Sequence, residues 1–302
     1  MTAPSVAAVV LSWNKRAKTL ACLRSLVEAT YPSLDLICVD NGSVDGSADA
    51  IAEVHPDVTL VRLERNTGFA GGMNIGIRAA LAAGAAHVVT LNDDMTVDQG
   101  FVEPLVAALA EDGAAGAACS QILFASPPDR VWYAGARWSP RRGYHGRHTR
   151  YGEPPLGADS PPYVTDRACG GAMLAPADAW QSVGLFDEEL FAYAEDVDWS
   201  LRLRSKGRHV LVVPASVVRH EVSESTGGES SPATIYYGLR NGLTVAERWA
   251  PLGRVRTVAR RAEALAVHVL QAALFSRRRA EALRAVWKGW RDFRAGRLGP
   301  MR

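Results

Sequence analysis

A doubly wound α/β fold is the class this sequence predicts: a mainly parallel sheet with helices on both faces, followed by a basic helical C-terminal extension. Two observations carry the prediction. Short apolar runs alternate repeatedly with segments whose apolar residues recur at helical spacing, which is the signature of βα units. Polar, acidic and Gly-rich clusters follow several of those runs directly, where an open parallel sheet binds ligands outside the carboxyl ends of its strands. With 302 residues, 48% of them hydrophobic, the chain can bury a substantial core.

Taken in order, Val6–Leu11 reads as a buried strand and Ala17–Ala29 as the helix after it. The alternation repeats with strand Leu36–Val39 and helix Ala48–Val54, strand Thr59–Leu63 and helix Gly72–Ala83, then strand His87–Leu91 and helix Phe101–Ala110. Such units imply parallel pairing with both faces covered. Beyond the run Ala115–Ile122 the regularity breaks, and residues 125–165, rich in Pro, Gly, Arg and aromatics, read as a variable loop or hairpin region. Order returns with an apolar run at Ala168–Ala175, helices at Ala177–Val183 and from Glu195 to about Lys206, and a strand at His209–Val213. The main domain, residues 1–247, is expected to close there, and Val255–Phe275 and Arg278–Arg294 then read as two basic helices within 248–302.

The net charge of +2 points to no polyanionic partner, so no nucleic acid is expected, but its distribution is lopsided. Residues 248–302 hold 14 of the 34 Lys and Arg and 3 of the 32 Asp and Glu, a net of +11 against −9 for the rest. Cys22, Cys38, Cys119 and Cys169 are widely spaced with no C-x-x-C pair, and read as buried thiols in a reducing cytoplasm. No basic segment followed by an apolar one opens the chain, and no window approaches the roughly 18 apolar residues of a membrane span. A cytoplasmic protein is expected.

Three acidic clusters carry candidate chemistry. In Asp40-Asn41-Gly42-Ser43-Val44-Asp45-Gly46-Ser47 a carboxylate closes the second strand and a Gly/Ser-rich turn opens a helix, a place suited to nucleobase, ribose and phosphate. The same residues also suit an Asx turn, with Ser47 or Asp45 as a helix N-cap. In Asn92-Asp93-Asp94, adjacent carboxylates after a buried strand repel one another unless a cation sits among them. One or two carboxylates plus substrate phosphates is the usual way Mg²⁺ or Mn²⁺ is held; a solvated turn is the plainer reading. In Glu195-Asp196-Val197-Asp198 the acids suit a helix start and Asp198 can pair with Arg202, while Glu195 and Asp196 invite a general-base role. His220, placed in a polar loop after the last strand, could complete a metal shell. Gly170 and Gly171 suit either close backbone approach to a ligand or tight packing, and Arg137–Arg150, with five Arg and two His, either an acceptor channel or a solvated loop.

The order of these pieces resembles glycosyltransferase family 2, the GT-A-fold enzymes with a Rossmann-like sheet, and within it the bacterial rhamnosyltransferase-like branch. The likeness runs through roughly residues 5–245: Val-Val-Leu-Ser-Trp-Asn, Val-Asp-Asn-Gly-Ser-x-Asp-Gly-Ser, Asn66-Thr67-Gly68-Phe69-Ala70-Gly71-Gly72-Met73-Asn74, Leu-Asn-Asp-Asp, Gly184-Leu185-Phe186-Asp187-Glu188, Tyr-Ala-Glu-Asp-Val-Asp-Trp and Tyr236-Tyr237-Gly238-Leu239-Arg240-Asn241. The resemblance implies a nucleotide-sugar half over residues 1–115 and an acceptor half over 116–247. It implies that Asp40 and Asn41, beside Ser12 and Asn14, contact the nucleotide, and that Gly68, Phe69, Gly72 and Asn74 border the nucleotide-sugar. The family's D-x-D positions fall on Asn92 and Asp94, so the first acid is replaced; Asp94 is the first choice of metal ligand, with Asn92 and Asp93 beside the donor. Asp196 matches the catalytic base and His220 the later metal-site histidine.

The function implied is an inverting transferase, dependent on Mn²⁺ or Mg²⁺, that moves a sugar from a nucleoside diphosphate (dTDP or UDP, rhamnose one candidate) to a saccharide, lipid-linked or small-molecule acceptor. Nucleotidyl transfer is an alternative, but the turn after the first strand reads Ser-Trp-Asn-Lys-Arg-Ala-Lys, without the glycines of a phosphate loop. A non-catalytic nucleotide-sugar-binding protein is another, and the presence of Asp94, Asp196 and His220 together argues against it. Residues 248–302 are expected either to dock on an anionic membrane surface or to pack, on the domain or in a homodimer.

Overall fold

The computed structural model describes residues 3–139, 147–221 and 230–301. Four parallel strands, β1 (Val6–Ser12), β2 (Leu34–Asp40), β3 (Thr59–Arg62) and β4 (His87–Asn92), lie in the order β3-β2-β1-β4 and are joined by helices α1 (Arg16–Val27), α2 (Ser47–Val54) and α3 (Gly68–Ala82). Strand β1 is central because Val-Ala-Ala-Val-Val-Leu offers apolar side chains to both faces, and every residue of it is buried. Strand β3, short and ending in Arg62, has the character of an edge and lies at one.

After β4 come β5 (Met95–Val97), α4 (Val102–Glu111), β6 (Ala115–Phe124), β7 (Val131–Tyr133), β8 (Ala136–Arg137), β9 (Arg147–His148), β10 (Tyr163–Thr165) and β11 (Ala172–Pro176). Helix α5 (Ala177–Val183), a 3₁₀ turn at Glu188–Leu190, α6 (Glu195–Ser205) and β12 (His209–His220) complete the sheet region. The main path is β10-β12-β6-β11-β4-β1-β2-β3; β12 runs parallel to β6, and β11 opposes both its neighbours. The region read as irregular, 125–165, holds β7 on the edge of β6 and a β8–β9 hairpin. Residues 140–146, half of the arginine-rich stretch 137–150, lie outside the described residues.

Two elements differ from their periodicity. Helix α3 begins at Gly68, not Gly72, because Gly-Phe-Ala-Gly presents too few bulky side chains to show a helical stripe. Strand β12 does not stop at Val213: Pro214 sits in a register shift between Val213 and Val217, and pairing then resumes to His220. A bulge is where a strand tolerates proline, so Pro214 bends this strand without ending it. His220 is therefore a strand terminus paired with Met95, and not part of a polar loop. The loop expected around it, residues 222–229, lies outside the described residues.

Helices α7 (Pro232–Trp249), α8 (Arg254–Leu274) and α9 (Arg279–Arg294) follow. The hydroxyl of Ser231 caps α7 by accepting the Thr234 N–H at 3.1 Å, with Pro232 in the first turn where no N–H is missed. Ile235, Tyr236, Leu239 and Leu243 of α7 form a second core with Ala264 and Ala272 of α8 and Ala282, Ala285 and Val286 of α9. The alanines let these helices approach closely. Residue 247, where the first domain is expected to close, lies in the last turn of α7, which packs on both helices of the extension.

Candidate active site

The parallel register sets the carboxyl ends of β1, β2 and β4 side by side, with Ser12 opposite Asp40 and Leu11 opposite Asn92. The strand order turns back at β1, which is where a doubly wound sheet opens a crevice. Ser12 is buried, its hydroxyl 2.9 Å from that of Thr19. The chain then turns through a left-handed Asn14, φ 51°, whose amide oxygen accepts the Val44 N–H at 2.8 Å and whose N–H donates to Ser43 Oγ at 3.0 Å. Asp40 accepts the Ser43 N–H through Oδ2 at 3.1 Å, while its buried Oδ1 has no hydrogen-bond partner among the described residues. Asp45 serves the turn, accepting the backbone N–H groups of Arg16 and Ser47.

Asn41 and Asn74 reach this region as struts. The Asn41 amide donates to Gly68 O at 3.0 Å and accepts from the Thr67 N–H at 2.9 Å; Asn74 donates to Phe186 O at 2.9 Å and accepts the Phe186 N–H at 3.0 Å. Gly68 has φ 81°, and a Cβ there would collide with the Phe191 carbonyl, so only glycine lets the start of α3 approach the 186–191 segment. Phe69 lies 6.0 Å from Phe186, ring to ring, and Gly72 packs on Leu11 and Asn41. The Gly68–Asn74 segment thus ties the first half of the chain to the segment that leads into α6.

The carboxylates after β4 do have a cation among them, and it is Lys15. Its ammonium lies 3.1 Å from Asp93 Oδ1 and 2.9 Å from Asp94 Oδ2. Asp93 also accepts the Trp13 N–H at 3.2 Å, and Asp94 Oδ1 is 3.3 Å from His220 Nε2, brought there by the β5–β12 pairing. Burial dominates at Asp93 and raises its carboxyl to about 6 despite Lys15. At Asp94 burial is outweighed by His220 and Lys15, which hold its carboxyl well below the usual range. Burial also opposes the charge on Lys15, but the two carboxylates override it and raise the ammonium's pKa.

Asn92 is met by β11 from the other side: its N–H donates to Gly171 O at 3.0 Å, and a Cβ on Gly171 would lie 2.7 Å from the Asn92 side chain. Gly170 donates its N–H to Asp196 Oδ2 at 3.3 Å. The two glycines are therefore where the Asn92 and Asp196 regions meet. Asp196 Oδ1 accepts the Val197 N–H at 2.7 Å, and Arg167 Nη1 stands 3.5 Å from Oδ2. Beside it Glu195 is buried with an unpartnered Oε2, and burial plus the Asp196 charge raise its carboxyl to about 8, so it keeps its proton at neutral pH. Asp198 is structural, bonded to Arg202 at 2.9 Å, Arg248 at 2.8 Å and the Trp249 indole at 2.8 Å.

The turn into α6 is strained: Phe191, Tyr193 and Ala194 all have positive φ, between 66° and 70°. Asn241 holds it by donating to the carbonyls of Leu190, Ala192 and Tyr193 at 2.7–2.9 Å. Fully buried Arg240 adds bonds to Leu190 O at 3.1 Å, the Tyr236 hydroxyl at 3.1 Å and Gly299 O at 2.6 Å. Thus α7 and the end of the chain clamp the segment that presents Asp196.

Lys15, Arg167 and the clamping role of Arg240 and Asn241 were not expected from the sequence. Lys15 had a signal, since a cation just before a helix opposes the macrodipole and needs another anion. Arg167 had none, lying in a connection without periodicity. As for a metal, Asp94 Oδ1 and His220 Nε2 lie 3.3 Å apart, an O/N donor pair of the kind that suits Mn²⁺ or Mg²⁺. Among the described residues no group of three or more His, Cys, Asp or Glu forms a cage, so a cation here would take its other ligands from diphosphate and water.

Comparison with known proteins places this architecture. Residues 7–162 match the model of glycosyl transferase family 2, and residues 87–290 that of glycosyl transferase family group 2. The chain is 28% identical over 287 residues to the N-acetylglucosaminyl-diphospho-decaprenol L-rhamnosyltransferase of Mycobacterium tuberculosis, covering 87% of this chain and 92% of that one. It is 24% identical to a dTDP-rhamnosyl transferase of Shigella flexneri, covering 79% of each. Among solved structures, the mannosyltransferase of Pyrobaculum calidifontis in complex with GDP-Man and Mn²⁺ aligns with TM-score 0.57 and 18% identity over 96% of this chain and 88% of that one. GalNAc-T7 with UDP, GalNAc and Mn²⁺ aligns with TM-score 0.60 and 19% identity over 78% of this chain and 47% of that one. The fold is GT-A-like.

Proposed function

The chain belongs to glycosyltransferase family 2 and is a glycosyltransferase, and from that premise we propose that it is an inverting, metal-dependent one using a dTDP- or UDP-sugar, rhamnose foremost. One observation carries the mechanism. Gly170 is bonded to Asp196 and its neighbour Gly171 to Asn92, a link that supports a base and a diphosphate site sharing one crevice.

In this reading the Ser12–Asn14 and Asp40–Ser43 turns receive the nucleotide, with the unpartnered Asp40 Oδ1 the free acceptor for a base or ribose donor. Asp94 and His220 would hold a divalent cation, which supplies electrostatic stabilisation of the departing nucleoside diphosphate. Asp196 takes the proton of the acceptor hydroxyl as that oxygen bonds the anomeric carbon and the bond to the diphosphate oxygen breaks on the opposite face. Such a single displacement inverts configuration. Arg167 and the Gly170 N–H keep Asp196 oriented, and neutral Glu195 adds no second charge beside it. The two rhamnosyl-transferring relatives support the donor, and the diphospho-decaprenol named for one of them supports a lipid-linked saccharide as acceptor. Four buried free thiols support a reducing, cytoplasmic setting.

The test is a screen of nucleoside-diphosphate sugars for hydrolysis without acceptor, with and without Mn²⁺. Release of dTDP or UDP only when the cation is present is expected. Metal-independent release, or no release and no nucleotide binding across the panel, would defeat the reading.

A further inference from the structure

Helix α8 has two apolar faces, and only one is covered. Arg260, Ala264, His268 and Ala272, four residues apart, are buried toward the second core. The opposite face carries Val255, Val258, Ala262, Ala266, Leu270 and Leu274, all exposed, and Phe275 follows at the helix end. Val255 is 83% exposed and Phe275 73%, and Trp287 of α9, at 65%, adds an aromatic ring. A continuous apolar stripe along a 21-residue helix, about 30 Å long at 1.5 Å per residue, is more than scattered surface hydrophobics. Arg254 and Arg256 open the helix, Arg277, Arg278 and Arg279 follow its end and Arg284 lies on α9, within a segment whose net charge is +11.

We infer that this face of α8 and α9 docks on an anionic lipid bilayer, lying in the headgroup region without crossing it. No described helix is long and apolar enough to cross a membrane. An amphipathic helix with arginines flanking an apolar stripe and aromatics at its end meets both halves of such an interface, hydrocarbon below and lipid phosphate beside it. Charge decides against a second copy of the chain as the occupant. A two-fold contact would set this patch against itself and bring like-charged arginines together, whereas anionic lipid complements them. The proposal does not depend on which sugar is transferred.

The experiment uses the full chain, because α9 and the chain end complete the core around α7 and deleting them would uncover Tyr236 and Arg240. Co-sedimentation is measured with phosphatidylcholine vesicles and with vesicles containing phosphatidylglycerol, at low and high salt. The full chain is expected to pellet with the anionic vesicles at low salt and to leave them as salt rises. Arg256→Gln, Arg279→Gln and Arg284→Gln should each weaken partitioning about fivefold, the equivalent of ~1 kcal/mol. The combined Leu270→Ser, Leu274→Ser and Phe275→Ser variant should lose about tenfold or more, with thermal melting and nucleoside-diphosphate binding unchanged to show that it is folded. Three outcomes overturn the proposal: the full chain stays in the supernatant at low salt, it binds both vesicle types equally, or the apolar variant dissolves a dimer seen by light scattering while sedimentation is unaffected.

Discussion

The crevice holds two pairs of adjacent acids, and the protein stabilises them in opposite ways. Asp93 and Asp94 are buried with the Lys15 ammonium within 3.1 Å of both and the His220 imidazole 3.3 Å from Asp94. Glu195 and Asp196 share one more distant guanidinium, Arg167 at 3.5 Å from Asp196, and Glu195 meets its burial by staying protonated. Uncompensated buried charge is too costly to leave standing, so a cation or a proton must answer it. A pair answered by an ammonium would, in the proposed reaction, exchange it for a divalent cation when the diphosphate arrives. A pair answered by a proton on one member avoids a second charge beside the other, which suits a base acting on an acceptor hydroxyl.

The comparison breaks first if Asp196 is not the base. Asp196→Asn is expected to lower transfer by roughly 10²–10⁴ while nucleoside-diphosphate binding persists, because the base acts on the acceptor; near-normal turnover with a defined acceptor would remove it from that role. Next, Asp94→Ala should weaken Mn²⁺-dependent binding of the nucleoside diphosphate by about tenfold or more, and His220→Ala by less, since a carboxylate brings charge as well as coordination. Calorimetry with and without Mn²⁺ reads both, and an unchanged metal dependence would take the pair out of the metal site.

Exchange of cations at the first pair makes a sharper demand. Lys15→Met removes the resident ammonium, so the carboxylates should bind Mn²⁺ in the absence of nucleotide more tightly, on the order of tenfold for each 1.4 kcal/mol no longer spent on displacement. Mn²⁺ titration by electron paramagnetic resonance measures this without turnover, and weaker binding in the variant would show that Lys15 assists the metal instead of competing with it. A separate effect is expected at Glu195. Its native carboxyl titrates near 8 against an ordinary 4.5, so the native state retains a proton that the unfolded chain loses, and stability declines as pH rises across that window. Glu195→Gln abolishes this contribution. The melting temperature of the variant relative to the natural chain should climb from pH 4.5 to 8 and level off above, by about 2–4 °C for each kcal/mol involved; a constant difference would mean that Glu195 is ionised in the fold.

Much of this was legible in the chain itself, for reasons that differ from element to element. The βα alternation up to β6 could be read because central parallel strands must be apolar on both faces and their helices on one. Asp40 and Asn92–Asp94 could be singled out because polar residues abruptly follow such runs, and Asp196 because it opens a helix within a motif that carries the family resemblance. By contrast, Pro214 ended the predicted strand where a bulge in fact carries it to His220, and the glycines of Gly68–Gly72 hid the first turn of α3. Asn41 and Asn74, read as contacts of the donor, also have amides bonded to the backbone of Thr67, Gly68 and Phe186, which only partners 26 or more residues away reveal.

Composition and periodicity by themselves determined the fold class, the position of the crevice and the charge of the extension, since each depends on residues near one another in sequence. What only the tertiary structure decided was which groups compensate which. Lys15 reaches Asp93 and Asp94 across nearly 80 residues, Arg167 and Gly170 reach Asp196 from β11's approach, and α8 covers one of its apolar faces while leaving the other open. Those pairings arise from strand register and helix packing, which bring distant residues within a few ångströms and which no local pattern encodes.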